Sequence, residues 1–259
     1  MVSRIALIVL LTGCSAEPTL GVLRVCLGEA DPPRSEASPL RGFDVDVAQL
    51  LAQGLNRELQ PVWLAARNPT EIESTDINYG ALLMGRCDVQ LSIPGVDALG
   101  VFAQHLVLTQ PYYGAGFELV PAGASIDFAA PGTGRIAVRA NTVAHVFIDH
   151  LGFQWTMRDD SVDIVSALTS GEADAGLVWG PDLGAVSVSR ALAFEPPAAL
   201  RWNHHAVTRT GNVALREAID AVLARADVRD AVQASMRRHG IPPHRPFASV
   251  HQLDMLSGQ

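Results

Sequence analysis

The sequence contains no lysine, and all 19 of its basic side chains are arginines. The chain therefore cannot form a lysine Schiff base, hold a phosphate with a P-loop lysine or use a Ser-x-x-Lys nucleophile pair. Its 27 acidic side chains outnumber the arginines and give a formal net charge of −8. An acidic chain without a basic run is a poor partner for nucleic acid, because that binding depends on neutralised phosphates. We expect no nucleic acid partner.

Motifs for metals, cofactors and catalysis are also scarce. The eight histidines show no pair at a metal-binding spacing, and no Cys-x-x-Cys occurs. His204 and His205 are adjacent and would point apart in a strand, so we interpret them as structural or surface residues. No paired carboxylates stand in a context suited to acid–base catalysis. The sequence thus predicts no metal, no cofactor and no enzymatic activity.

Long apolar runs are absent, apart from residues 5–11 behind the positively charged start. That run is too short to span a bilayer, which needs about 20 apolar residues, and it is typical of a signal peptide. Leu11-Thr12-Gly13-Cys14 follows and resembles the lipobox of bacterial lipoproteins. We predict a signal peptide over 1–13, a lipidated Cys14, a tether over 14–21 and a periplasmic, membrane-anchored protein. The alternative is a plain signal peptide with an incidental cysteine.

Strand and helix patterns alternate along the rest of the chain, which predicts an α/β protein with mostly parallel sheets flanked by helices. The order strand-helix-strand-helix-strand occurs in residues 22–93 and again in 135–178. We therefore predict two lobes, each with its own sheet, and two amphipathic C-terminal helices that return to the first lobe. The predicted boundaries are 22–118 plus 201–259 for lobe 1 and 119–200 for lobe 2, with hinge crossings near 117–121 and 193–200.

Six segments carry a resemblance to a known family, and it spans nearly all of the chain after the tether. They are LRVCL, GFDVDVAQLLAQGL, MGRCDVQLSIP, TQPYYGAGFELV, GRIAVRANT and SGEADAGLVWGPDLG. In their order and spacing they resemble the type II periplasmic solute-binding proteins of extracellular family 3. The resemblance implies a two-lobe fold that binds a small ligand in the cleft between its lobes and delivers it to an ABC permease.

Two positions depart from the amino-acid binders of that family. Those binders carry an arginine about nine residues before the Pro-Tyr-Tyr proline, and this chain has Phe102 there. They also carry an aspartate where this chain has Trp179. Unpaired α-amino and α-carboxyl charges are costly to bury. We therefore expect a cleft without a fixed cation and anion, and a ligand other than a free amino acid.

A narrower likeness rests on four short motifs. They are Val-Cys near the start, Gly-Arg-Cys-Asp at 85–88, Thr-x-Pro-Tyr-Tyr at 109–113 and Val-Trp-Gly-Pro at 178–181. These look like the binding proteins associated with quinoprotein methanol and alcohol dehydrogenases. This likeness implies an alternative role, as a periplasmic accessory of such a dehydrogenase with a degraded or empty cleft. In either role we expect a monomer.

The candidate ligand-binding residues lie where predicted strands end, because open α/β sheets bind ligands there. For each of them a purely structural role is the alternative. Thr142 or Asn141 could simply cap a helix, Trp179 and the tyrosines could pack at the hinge, and the charged side chains could be solvated. The candidates are Thr142, Asn141, Arg139, Trp179, Tyr112, Tyr113, Ser92, Pro94 and Glu29.

Two cysteines remain within the predicted fold, Cys26 and Cys87, and each lies in a predicted strand. An even pair in an exported chain is typical of a disulfide. Sequence alone cannot supply the geometry, so two buried thiols remain the alternative.

Overall fold

Strands and helices alternate through the structure, a computed structural model that describes residues 21–65, 77–123, 126, 134–188, 190 and 194–251. The predicted α/β class is confirmed. The strands are β1 (Gly21–Gly28), β2 (Ala30–Asp31), β3 (Ser35–Glu36), β4 (Arg57–Leu64), β5 (Val89–Ile93), β6 (Leu106–Pro121), β7 (Arg135–Arg139), β8 (Gln154–Arg158), β9 (Ala175–Trp179) and β10 (Arg201–Arg209). The helices are α1 (Phe43–Gly54), α2 (Gly80–Leu83), α3 (Val143–His150), α4 (Ser161–Thr169), α5 (Val213–Leu223) and α6 (Ala226–Arg238).

The main sheet consists of two parallel groups joined through two antiparallel strands. Its strand order is β4-β1-β5-β10-β6-β9-β7-β8. Strand β1 pairs in parallel with β4 and β5, and β7 pairs in parallel with β8 and β9. Between these groups, β10 is antiparallel to β5 and β6, and β6 is antiparallel to β9. The two groups are therefore connected through β6 and β10.

Strand β6 changes its partner along its length. Residues 106–116 pair with β10, and residues 117–121 pair with β9. The sequence pattern predicts two short extended pieces here and a strand only over 206–208, but β6 and β10 are each continuous. Pro111, which cannot donate a ladder hydrogen bond, lies where the pairing with β10 shifts register, so the ladder continues past it.

Helices cover both groups of strands. The core of the first group packs Phe43, Val47 and Leu51 of α1 on β1, and it also contains Ile219 of α5 and Met236 of α6. Helix α6 contacts α1, so the C-terminal helices return to the first group, as predicted. In the second group, α3 and α4 each pack on β7 and β9, and they form two separate buried hydrophobic clusters.

Two close contacts join distant segments near the connecting strands. Glu118 of β6 is fully buried, and its carboxylate lies 3.1 Å from Arg190 and 2.6 Å from Nε2 of His244. Gly184 lies against the end of α6, where an added Cβ atom would be 2.0 Å from the carbonyl oxygen of His239. Only glycine allows this approach of two backbones.

Candidate functional site

Ser92, near the carboxyl end of β5, is the centre of a buried hydrogen-bond network. Its Oγ donates to Oδ1 of Asp44 at 2.6 Å and accepts from the Tyr113 hydroxyl at 3.1 Å. Its backbone N–H donates to the Tyr112 hydroxyl at 2.9 Å. Ser92 has a φ of 60°, a left-handed conformation that is uncommon for a residue other than glycine. These hydrogen bonds offset the backbone strain, so the network fixes the end of β5.

A β-bulge explains how two adjacent tyrosines reach the same serine. Along an ideal strand, successive side chains point to opposite faces. Here His204 of β10 pairs with Tyr113 and His205 pairs with Pro111, so Tyr112 is the extra residue. Both tyrosine rings are buried, and burial raises the pKa of each hydroxyl above its usual value. Both therefore stay protonated near neutral pH and act as hydrogen-bond groups.

Asp44 brings a buried carboxyl group to this network from the first turn of α1. Burial raises its pKa to about 6, although the hydrogen bond from Ser92 and the positive charge of Arg34 favour the charged form. The side chain is 7% exposed. At neutral pH most molecules carry a desolvated carboxylate here, close to Arg34.

Arg34 lies between β2 and β3 and forms an ion pair with a neighbouring carboxylate. Its Nη2 atom is 2.8 Å from Oδ1 of Asp31. Burial favours the neutral guanidine, but the charges of Asp31 and Asp182 outweigh it and raise the pKa of Arg34 above its usual value. Asp182 follows β9 of the second group, so carboxylates from both groups of strands raise the pKa of Arg34.

Two further polar residues of the second group, Ser161 and Arg139, act on Asp182. Ser161, the first residue of α4, donates its hydroxyl to Oδ2 of Asp182 at 2.9 Å. Burial raises the pKa of Asp182, while the positive charges of Arg34 and Arg139 act in the opposite direction. Arg139 ends β7, the neighbour of β9. The carboxyl ends of strands from both groups thus contribute to one set of charges.

Aromatic side chains pack next to these polar and charged residues. His204 is 3% exposed and stacks on Tyr113, with ring centroids 4.5 Å apart and an interplanar angle of 22°. Trp179 lies 5.9 Å from His204 and packs against Phe117 and Trp202. Burial lowers the pKa of His204 to about 3; the Ser92 backbone opposes this shift and the Arg34 charge adds to it. The imidazole is therefore neutral at physiological pH.

Only some of the predicted ligand-binding residues lie together in the structure. Ser92, Tyr112 and Tyr113 meet in one network, and the positive charge of Arg139 acts against the raised pKa of Asp182. Trp179 is near them but packed among aromatic rings.

Other predicted positions have structural roles or stand apart. Thr142 caps α3, its Oγ1 accepting from the backbone N–H of His145 at 3.3 Å. Asn141 is exposed, with a φ of 54°. Pro94 follows β5 and is partly buried, whereas Glu29 is exposed after β1.

The expectation of a cleft without fixed charges is wrong. Phe102 is 38% exposed and packs on Tyr79. Trp179 occupies the second position at which this chain differs from the amino-acid binders. Charged side chains nevertheless reach the site from other segments. Arg34, Asp44 and Asp182 supply them, and the sequence analysis did not select these residues. A usable signal existed for two of them, since Asp44 opens a helix behind Gly42-Phe43 and Asp182 follows the Trp-Gly-Pro motif.

The remaining sequence predictions concern covalent links and metals. Cys26 and Cys87 form a disulfide with a Cα–Cα distance of 5.6 Å. Within the part of the chain that the structure describes, no three His, Cys, Asp or Glu side chains form a group suited to a metal ion. In the same ranges, every helix is too short or too polar to cross a membrane. Cys14 and the segment before it lie outside the described residues.

Two α/β units joined by two strands, with polar groups where the strands of both units end, define the class of protein: the chain has the fold of type II periplasmic solute-binding proteins. It is similar to MxaJ from Methlophaga aminisulfidivorans MPT at 20% identity and a TM-score of 0.62, covering 85% of this chain and 99% of that chain. It is also similar to the unliganded, open L-cystine solute receptor of Neisseria gonorrhoeae at 17% identity and a TM-score of 0.69, covering 85% and 92%.

A third similar structure is the open substrate-binding domain 2 of Lactococcus lactis GlnP. It shares 14% identity at a TM-score of 0.69, with coverage of 86% of this chain and 97% of that domain. No family model and no curated protein matches the sequence. The structural neighbours thus confirm the predicted two-lobe fold.

Proposed function

We propose that the chain is an exported solute-binding protein that captures a small ligand between two lobes for an ABC-type transporter. The observation that carries this proposal is the close approach of Gly184, which follows β9, to Pro33, which follows β2, because it brings together segments next to the strand ends of both sheet groups. In an open α/β sheet those ends are where ligands bind. Closure of two such edges over a ligand buries it between them.

The lobes of this proposal are residues 22–118 plus 201–259 and residues 119–200. Their crossings lie near 117–121 and 193–200. The change of partner along β6 supports this division, since residue 116 pairs with β10 and residue 117 with β9. The contact of Gly184 with the end of α6 supports a closed arrangement in which the lobes touch beside the cleft.

The ligand is a small molecule other than a free amino acid. Phe102 and Trp179 replace the two charged residues that would bind the α-carboxylate and α-amino groups. Arg34 is already paired with Asp31 at 2.8 Å, so a ligand carboxylate would have to compete for it. The residues we expect to contact the ligand are Ser92, Pro94, Tyr112, Tyr113, Trp179, Arg139, Asn141, Thr142 and Glu29, together with Arg34 and Asp182.

A thermal-shift panel tests the solute-binding role. Small organic acids, amines, sugars, amino acids and pyrroloquinoline quinone are added in turn to the purified protein. A ligand that binds only the folded state raises the melting temperature with its concentration. We expect at least one non-amino-acid compound to do so. If only free amino acids stabilise the protein, the ligand assignment is wrong, and if nothing does, the solute-binding role is wrong.

A second role is favoured by the similarity to MxaJ and by the quinoprotein-associated motifs. In that role the chain is an accessory protein of a quinoprotein alcohol dehydrogenase, and its cleft binds little or no small ligand. The neighbouring genes distinguish the two roles. A permease and an ATPase beside this gene support transport, whereas a dehydrogenase and a cytochrome support the accessory role.

A lipid anchor at Cys14 belongs to this proposal, because the lipobox precedes it and two or three acyl chains hold a protein firmly at a membrane surface. We expect the full chain to fractionate with membranes as a monomer, and Cys14→Ala to release it into the soluble periplasmic fraction. Membrane association that is unchanged in Cys14→Ala would contradict the anchor without affecting the solute-binding role.

A further inference from the structure

The segment that follows α6, residues 241–251, lies across both connecting strands, and we call it the strap. At β6, the backbone N–H of Gly114 donates to the carbonyl oxygen of His244 at 3.1 Å. At β10, Asn203 forms two hydrogen bonds with the backbone of Phe247. Its Nδ2 donates to the carbonyl oxygen at 2.9 Å, and its Oδ1 accepts from the N–H at 2.7 Å. Gly114 and Asn203 are partners in the ladder between β6 and β10, so the strap is bonded to both strands at the same level.

The strap also reaches the first proposed crossing, residues 117–121. Nε2 of His244 lies 2.6 Å from Oε1 of Glu118, in the part of β6 that pairs with β9 of the second group. The Glu118 side chain is fully buried, and Nη1 of Arg190 lies 3.1 Å from its Oε2 atom. A buried carboxylate that loses one of its partners is costly, so His244 is held firmly at this crossing.

The far end of the strap is bonded at the second proposed crossing, residues 193–200. Nδ1 of His251 donates to the carbonyl oxygen of Ala199 at 2.8 Å, and the backbone N–H of His251 donates to the carbonyl oxygen of Arg201 at 2.7 Å. The guanidinium of Arg201 in turn donates to the backbone oxygen of Ser249 at 2.7 Å and to its hydroxyl at 2.8 Å. One segment therefore connects both places where the chain passes between the two groups of strands.

These contacts oppose bending at the crossings. Hinge closure changes backbone angles at a few residues between two bodies, and the distances across the hinge change with them. The strap has bonded points along both crossings, so bending must stretch or break some of its hydrogen bonds. It also touches β6 directly, because a Cβ atom added to Gly114 would lie 2.5 Å from Cε2 of Phe247.

We infer, on the basis of the two-lobe solute-binding role proposed above, that the strap restrains the hinge and limits how far the cleft opens. The ligand-free protein then samples a narrow range of distances between its lobes. A cleft held in that range is preorganised, and a ligand loses less free energy to closure than it would with a freely bending hinge.

The test measures the distance between the lobes directly, without a ligand. Spin labels are attached to Met84→Cys in lobe 1 and Val162→Cys in lobe 2, whose side chains are 70% and 59% exposed. A Cys14→Ala background and the intact disulfide leave the two added cysteines as the labelled sites. Pulsed electron paramagnetic resonance then gives the distribution of distances between the labels. We expect a single narrow distribution for this doubly labelled protein.

Variants of the strap contacts show whether the strap causes the narrow distribution. Asn203→Ala removes both hydrogen bonds to Phe247, and His244→Phe keeps an aromatic ring while removing the bond to Glu118. We expect each to broaden the distribution roughly twofold or more, and the double variant to broaden it further. The matched control is Arg245→Ala in the same segment, since that side chain is 73% exposed, and its distribution should be unchanged. An unchanged distribution in the folded double variant would overturn the inference.

A further variant separates restraint of the hinge from loss of stability. Arg24→Ala removes hydrogen bonds to Asp88 and to the backbone of Gly85, all within lobe 1 and away from the strap. We expect a lower melting temperature with an unchanged distance distribution. If Arg24→Ala broadens the distribution as much as the strap variants do, the inference is wrong. Because no ligand is present, these results are independent of the thermal-shift panel that tests the solute-binding role.

Discussion

Replacement of Asp44 by asparagine offers the sharpest test of the electrostatics of the site. The carboxyl group is 7% exposed, and burial raises its pKa to about 6 from an ordinary value near 3.8. Between those two values the folded state binds more protons than the unfolded state, so the contribution of Asp44 to stability falls as pH rises. That contribution is fully present below about pH 4 and is lost by about pH 7. The pKa difference corresponds to roughly 3 kcal/mol.

The asparagine side chain of the variant has no charge to desolvate at any pH. At about pH 4 the carboxyl group of the unaltered protein is also neutral, so the two proteins should differ by no more than about 1 kcal/mol, the value of one hydrogen bond. At about pH 7, Asp44→Asn should be more stable than the unaltered protein by about 2–3 kcal/mol. The difference in free energy of unfolding should therefore grow across this range.

The assay is urea-induced unfolding followed by tryptophan fluorescence at a series of pH values. Taking the difference between the two proteins cancels the titration of all other groups that the substitution leaves unchanged. Asp159→Asn is the control, because that side chain is exposed, and it should show a small difference of about 0.5 kcal/mol or less at every pH. A difference for Asp44→Asn that is flat, or that shrinks as pH rises, would refute the argument from burial.

Three further predictions concern stability. Glu118→Ala should destabilise the protein by about 3–5 kcal/mol in denaturant unfolding, because it leaves His244 and the partly buried Arg190 without their carboxylate, and an equally stable variant would contradict this. Removing the disulfide with Cys26→Ser and Cys87→Ser should cost about 4 kcal/mol, since the bond closes a loop over a separation of 61 residues; reduction of the unaltered protein should give a similar loss. Thr142→Ala should cost about 1 kcal/mol through the lost cap of α3, with Thr142→Ser restoring most of it.

Local sequence patterns predicted the bounds of short, regular strands and helices well. The pattern predicts a strand over 135–139, which are the bounds of β7, and a helix over 161–170, and α4 ends one residue earlier. The prediction was poorest for β6 and β10, which were predicted as shorter pieces. Their length depends on hydrogen bonds to neighbours far along the chain, and Pro111 interrupts the local strand pattern.

The candidate site was predicted in part. The positions at strand ends, such as Ser92 and Arg139, follow from the general rule that ligands bind at the carboxyl edge of parallel strands. That rule does not say which loop side chains turn inward. Arg34 belongs to a loop rich in proline and charge, where solvent exposure is the ordinary expectation. The fold instead places its guanidinium 2.8 Å from Asp31, and the charges of Asp31 and Asp182 raise its pKa.

The sequence by itself determined the class of fold, because the period of its apolar residues fixes which segments are strands and which are helices. It also restricted the chemistry, because a chain without lysine must use arginine for every fixed cation. Only the tertiary structure decided the burial of Asp44 and of His204. Both depend on residues far apart in sequence, and their pKa values are set by desolvation and by neighbours that exist only after folding.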